Sequence, residues 1–374
     1  MYFTRASSYF VNLISVMIFK THLKTHLLVT AVEPNAQHGT GNFLRELCER
    51  TPNARFISFR GLSIYNNICD IPGDHFPIPK NGKLSFMQLI KLKLLHPSTI
   101  LCMPFYENTV KYALYLRKNT NAKLFTYFLD DQNLINKNIS DQSLRALLLE
   151  SDRTYAISDE LSKAYREKYS IECTTLHPKV VSPGEYFRNT ARIQKKVSCA
   201  LVGNIWTQSR LKQIANLVEE ANLQVTWFGL GPDAPWLQID KKLLQQKGIK
   251  CGGYLPKDDL FKQISKMSFI ILPSGDLDKN DKNKAFSKYS MPSRLFFCGA
   301  HTNTPFLVLG NKNTALAAFI RKNKIGVSAI AKKKAFLQAI RLLQNRQVRE
   351  KIMRQLISRK SLFIDTSLQK CLFN

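Results

Sequence analysis

The sequence predicts an α/β protein built of two tandem Rossmann-like, doubly wound domains that face a cleft, and three observations carry this expectation. A chain of 374 residues is too long for one ordinary core and fits two units of about 150 to 200 residues each. Short apolar, β-rich runs alternate with helical periodicities, and no tight hairpin turn separates them, which is the pattern of a parallel sheet covered on both faces. The pattern lapses once near the middle of the chain and then restarts.

HLLVTAV (26–32) reads as a buried parallel strand and GTGNFLRELCER (39–50) as a glycine-started helix behind it. ARFISF (54–59), STILCM (98–103), KLFTYFL (123–129) and TYAIS (154–158) are further strands, and apolar spacings of three and four predict a helix over 109–118. The stretch 177–196, with Pro178, Pro183 and Gly184 and little apolar content, reads as a connection, so a first domain is expected over 1–180 and a linker over 181–196. VSCALVG (197–203), a helix over 209–222, VTWFG (225–229), IKCGGY (249–254), a helix over 257–266, SFIILP (268–273), PFLVLG (305–310) and a helix over 314–323 then set a second domain over 197–345. Any ligand belongs in the crevice at the carboxyl ends of the strands. The remainder, 346–374, reads as a basic helical tail packing back on the first domain. Residues 331–374 hold eleven Lys/Arg against two acids, and Phe336, Ile340, Leu343, Ile352 and Leu356 fall near helical spacing. A core-docked helix with a solvated basic face is preferred there to a membrane-surface helix.

A hydrophobic content of 44% excludes wholesale disorder. Against 27 acids stand 55 Lys/Arg, a net charge of +28, which points to nucleotide phosphates, nucleic acid or anionic lipid as partners. None of the 8 cysteines forms a CxxC pair, which favours a reducing, cytoplasmic setting, and the 7 histidines include no HExxH, so no metal is expected. The apolar run Phe10–Phe19 (FVNLISVMIF) is shorter than the ~18–20 residues of a membrane span. It is expected to be a surface-seeking segment, or part of an overlong start with Met17 as the true first residue. Together with the tail it suggests peripheral attachment to an anionic inner membrane face.

The most informative feature for chemistry is an absence. From Lys282 to Arg349 there is no acid, while fourteen Lys/Arg occur. Such a wall suits a diphosphate held by cations and by N–H groups at helix starts. Within it Lys288, Ser293 and Arg294 (KYSMPSR) precede an apolar helical stretch, and Thr314 caps the next helix. Gly39, Thr40 and Gly41 open the first helix, where backbone amides can meet a phosphate; a plain turn into the helix explains them equally well. Gly203, followed by Asn204 and Arg210, repeats that arrangement in the second half. Asp130 and Asp131 end a predicted strand, as an acid/base pair or as a helix cap, and His38 and His96 are further acid/base candidates, although lone histidines are more often structural.

From TYAISDELSKAYREKYSIECTTLHP (154–178) onwards the order of segments resembles glycosyltransferases of the GT-B fold, in particular the large retaining family that uses nucleotide sugars. VSCALVGNI is similar to that family's opening strand and glycine turn, and VTWFGLGPD to its next strand and glycine-rich turn. GIKCGGYLPKDDLFKQISKMSFIILPSG and PSRLFFCGAHTNTPFLVLGNKNTALAAFIRKNKIGVSA resemble the segments that hold the donor. The likeness extends over about 150–374, and over 26–150 only in layout. It implies transfer of a sugar from a nucleoside diphosphate sugar, a co-substrate rather than a cofactor, to a glycan or lipid-linked acceptor, with no metal. By the same resemblance Arg210 and the 288–294 segment face the diphosphate, Ser274 lies beside the nucleotide sugar, and Gly39–Gly41 approach the phosphate or the acceptor. The two glutamates common in the family are replaced by Phe286 and Arg294, and PSR resembles a basic variant of that motif. Two other classes stay open: a basic nucleic-acid-binding protein, for which no RNP-like strand, finger or basic zipper is found, and a catalytically inactive GT-B-like scaffold.

Overall fold

In the computed structural model the described residues are 23–31, 33–35, 39–51, 53–61, 69–71, 73–80, 82–181, 184–190, 197–229, 237–279, 281 and 284–373. The first unit runs β1 (Lys24–Thr30), α1 (Gly39–Glu49), β2 (Ala54–Arg60), β3 (Asp74–Pro77), α2 (Phe86–Leu94), β4 (Thr99–Cys102), α3 (Glu107–Asn119), β5 (Lys123–Phe128), α4 (Asp141–Glu150), β6 (Arg153–Ala156), α5 (Asp159–Tyr169) and β7 (Thr174–Thr175). The second runs β8 (Ser198–Val202), α6 (Gln208–Glu220), β9 (Gln224–Phe228), α7 (Lys241–Gln246), β10 (Ile249–Gly253), α8 (Lys257–Ile264), β11 (Ile270–Pro273), α9 (Lys284–Tyr289), α10 (Ser293–His301), β12 (Phe306–Leu309), α11 (Ala315–Asn323), β13 (Gly326–Ala329) and α12 (Lys333–Gln344).

Both sheets are parallel, in the orders β3-β2-β1-β4-β5-β6-β7 and β10-β9-β8-β11-β12-β13. Each reverses direction once, between β1 and β4 and between β8 and β11, and that switch point opens a crevice at the carboxyl edge. Consecutive residues Leu27, Leu28 and Val29 are all fully buried, as are Ile270, Ile271 and Leu272, because helices cover both faces of each sheet.

Beyond α12 come α13 (Arg346–Ser358), a 3₁₀ turn (Lys360–Leu362) and α14 (Leu368–Phe373), and this stretch returns to the first domain. The Val180 N–H donates to Phe363 O at 2.8 Å and the Asp365 N–H to Val180 O at 3.0 Å. The Phe373 ring lies 4.7 Å from His26 and 5.3 Å from Phe56, and the Tyr155 hydroxyl donates to Cys371 O at 2.9 Å. Ile352, Leu356, Phe363, Leu368, Leu372 and Phe373 are buried in this way, so these apolar side chains of the tail dock on the core. Phe10–Phe19, the other segment from which membrane attachment is expected, lies outside the described residues. Lys360 Nζ donates to the carbonyls of Gly299 (2.6 Å), Thr302 (3.0 Å) and Ala300 (3.3 Å), closing the carboxyl end of α10 with a cation, the favourable sign for a helix dipole. Part of the expected linker is tied to the second domain, through Phe187 N–H to His301 O and Thr190 N–H to Ser265 O, both at 2.8 Å.

Candidate active site

The segment 289–294, between α9 and α10, is where the second domain meets the first. Ser158 Oγ, which caps α5 by accepting from the Leu161 N–H, also donates to Tyr289 O at 2.5 Å. Ser290 Oγ donates to the Asp130 carboxylate. A Cβ placed on Gly39 would lie 3.0 Å from Ser293 Oγ, so the amino ends of α1 and α10 abut across the crevice. Neither helix carries an acid in its first turn, and Pro292 gives α10 no side-chain cap, which leaves N–H dipoles of both helices turned to the same place. The Lys257–Glu46 ion pair at 2.9 Å and the Lys322–Asp159 pair at 3.1 Å join the same two domains.

Arg294 lies under the turn after β8. Its Nη1 makes one long hydrogen bond, 3.3 Å to Asn204 O, and its Nε is buried without a partner among the described residues. Burial lowers its pKa to about 10, so the guanidinium remains a cation at neutral pH with little to neutralise it. Gly203 makes room for it. With φ at +88°, a Cβ there would fall 2.4 Å from Arg294 Nη1, and the Trp227 indole fixes the turn by donating to Gly203 O at 2.8 Å.

The other sequence candidates have different surroundings. Arg210 spends its guanidinium on the chain itself, on Ser274 O (2.5 Å), Leu309 O (2.6 Å), Asp276 (2.9 Å) and Gln213 (2.5 Å). It clamps the carboxyl ends of β11 and β12 rather than facing a ligand. Ser274 carries one end of that clamp, and its N–H donates to Leu309 O at 2.8 Å. Thr314 Oγ1 is committed as the cap of α11, accepting from Ala317 N and donating to Asn311 O at 3.0 Å. Lys288 is exposed, 5.0 Å from the Tyr289 ring. Gly41 points inward, where a Cβ would come within 2.1 Å of Asn35 O, so its missing side chain serves packing; Thr40 is half-buried beside it.

The two aspartates part company. Asp131 is fully buried, and its oxygens accept from the N–H groups of Asn133 (2.9 Å), Leu134 (2.7 Å), Ile135 (2.7 Å) and Asn136 (3.1 Å). It builds the loop before α4, which corrects its assignment to catalysis. Asp130 faces the second domain, and burial raises its pKa to about 7, opposed by the Ser290 hydroxyl and assisted by the charge of Asp131. His96, at φ +44°, sits before β4 at the amino edge of the sheet, away from the crevice; His38 is outside the described residues.

The acid-free stretch is not a wall, and this too is a correction. Arg321, Lys322 and Lys324 gather at the far end of α11, Lys332–Lys334 lie beyond the edge strand β13, and Arg341, Arg346 and Arg349 ride on α12 and α13. Beside the domain contact stand Arg294, Lys288 and, through its pair with Asp159, Lys322. The partners Ser158, Tyr289, Ser290 and Asn204 have no signature in the sequence, since only the tertiary fold brings them together. Among the described residues no group of three or more His, Cys, Asp or Glu is placed to hold a metal.

No protein-family model matches the chain, and no curated protein matches it. Solved structures do. The chain is similar to a glycosyltransferase of Rickettsia africae (TM-score 0.61, 13% identity, over 93% of this chain and 96% of that one). It is similar to HepE of Anabaena in complex with UDP and glucose (TM-score 0.59, 10% identity, 94% and 98%) and to MurG of Acinetobacter baumannii (TM-score 0.56, 11% identity, 93% and 98%). A UDP-N-acetylglucosamine 2-epimerase is also similar (TM-score 0.51, 11% identity, 93% of each chain). At these identities the likeness is one of fold, and it agrees with the two switch-point sheets, the crevice between them and the tail that crosses back: the chain has the GT-B fold.

Proposed function

We propose that this protein is a glycosyltransferase that moves a sugar from a nucleoside diphosphate sugar to a glycan or lipid-linked acceptor in cell-surface polysaccharide or glycoconjugate synthesis. The observation that carries the reading is Arg294, a half-buried cation with a buried, unused Nε and one long hydrogen bond, at the place where two helix amino ends abut. As the bond between the sugar's anomeric carbon and the diphosphate oxygen breaks, negative charge grows on that oxygen, and Arg294 with the N–H groups at the start of α10 stabilises it. Lys288 adds charge at the rim, while Arg210, Ser274 and Thr314 hold the strand ends that shape the donor side. Gly39 and Thr40 bring the first domain close to the reacting centre. The acceptor oxygen bonds to the anomeric carbon and its proton passes to Asp130.

That last step has a pH signature. Asp130 accepts a proton only when ionised, and its raised pKa of about 7 leaves it protonated in mild acid. Turnover is expected to fall about tenfold per unit as pH drops below that value and to level off above it. Asp130→Asn removes the slope and lowers kcat by roughly 10²–10⁴-fold. A wild-type profile that is flat from pH 5 to 8 excludes Asp130 as the base.

A thermal-shift screen with UDP-, GDP- and ADP-sugars tests the whole reading. One of them is expected to raise Tm in a concentration-dependent way, whereas duplex and single-stranded nucleic acid leave it unchanged. Turnover of the radiolabelled donor then separates the classes: a labelled acceptor marks a transferase, an altered sugar still on its nucleotide marks an epimerase, and binding without turnover marks a scaffold. Stabilisation by nucleic acid alone would overturn the proposal.

A further inference from the structure

We propose that the outward face of α2, formed by Phe86, Met87, Ile90 and Leu94, is a docking surface for an anionic lipid bilayer. This inference is independent of the chemistry in the crevice. Seven of the ten residues 86–95 (FMQLIKLKLL) are apolar, so the helix is apolar nearly all round, yet it is covered on one side only. Leu92 is buried, and Leu84 and Leu95 pack against the core. On the other side Phe86 is 76% exposed, Met87 61%, Ile90 36% and Leu94 55%. Phe86, Ile90 and Leu94 recur every four residues with Met87 beside them, which makes one continuous stripe rather than scattered exposure. The stripe is held in place from its start. Ser85 Oγ accepts from the Gln88 N–H at 3.3 Å while the Gln88 side chain accepts from the Ser85 N–H at 3.0 Å, a reciprocal cap that fixes the first turn.

Charge identifies the occupant. From His75 to Tyr106 the chain has no acid, and Lys80, Lys83, Lys91 and Lys93 are all exposed around the stripe. Bulky apolar groups rimmed by lysines fit a surface that is oily beneath and negative at the top, which is the interface of an anionic bilayer. A second copy of this chain is the poorer occupant, because a two-fold contact would press those lysines against their own equivalents on a molecule of net charge +28. The helix has 9 residues, and among the described residues no helix is long and apolar enough to cross a membrane, so α2 would lie in the plane of the headgroups.

The test is co-sedimentation of the full chain with phosphatidylcholine vesicles, with and without phosphatidylglycerol. The wild type is expected to bind the anionic vesicles, and to be released as salt rises. Met87→Ser with Leu94→Ser should weaken that binding by roughly tenfold or more while leaving Tm near the wild-type value, since both side chains point outward. Lys91→Gln with Lys93→Gln, which leaves the apolar stripe intact, should remove most of the preference for anionic over neutral vesicles, at roughly fivefold per lysine. The proposal fails if the wild type binds neither kind of vesicle, or if both variants bind as the wild type does. It also fails if the Met87/Leu94 variant converts a dimer to a monomer on a sizing column, which would assign the stripe to a second copy.

Discussion

Arg294→Ala is expected to lower kcat/KM for sugar transfer by about 10²–10³-fold and to erase the rise in Tm that the donor gives the wild type. The reason lies in the balance of charge. The residue is half-buried with its Nε covered, its one hydrogen bond is 3.3 Å long, and no acid neutralises it among the described residues, so an anion entering the crevice meets an almost unspent cation. The unliganded protein should tolerate the change well, because it loses one weak bond and a desolvated charge. Melting curves with and without the donor, alongside initial rates, check both halves. A variant that keeps its donor-induced shift would detach Arg294 from the diphosphate. Arg294→Lys should recover only a part, since an ammonium supplies charge without the planar fork.

Gly203→Ala should be nearly as damaging by a different route. An L-residue at φ +88° is strained by roughly 1–3 kcal/mol, and its methyl group would collide with Arg294 Nη1, which lies 2.4 Å from the Cβ position, and with Cδ at 2.9 Å. The guanidinium must then leave its seat. The expected result is a folded protein with a modestly lowered Tm and no response to the donor, measured by the same two melts. An alanine variant that matches the wild type in donor response would show that the seat is not needed.

The centre of each sheet was legible in the sequence and its edges were not. β1, β4, β5, β8, β11 and β12 are short apolar runs buried on both faces, and such runs announce themselves. β3 is Asp-His-Phe-Pro and β7 only Thr-Thr; they exist because Ile57 and Tyr155 offer them backbone partners, which periodicity does not see. The site divided along similar lines. Gly203, Ser293 and Arg294 were found because turn and helix-start chemistry is local. Asp130 and Asp131 are adjacent and chemically identical, and only the fold of the following loop consumes one and leaves the other. The basic stretch misled because a count of charges along the chain ignores helical phase: three turns of helix send the same residues to every side.

Phe373 fills the space beside His26 and Phe56, which makes the first domain discontinuous in the chain. Its sheet is synthesised first but lacks its last piece until roughly 190 further residues have emerged, a wait of about 10–40 s at ordinary ribosomal speeds. Through that interval the aromatic hollow on β1 and β2 stands open, so the nascent half is a natural client for a chaperone. Cutting the gene between the domains would yield a fragment that never loses that need.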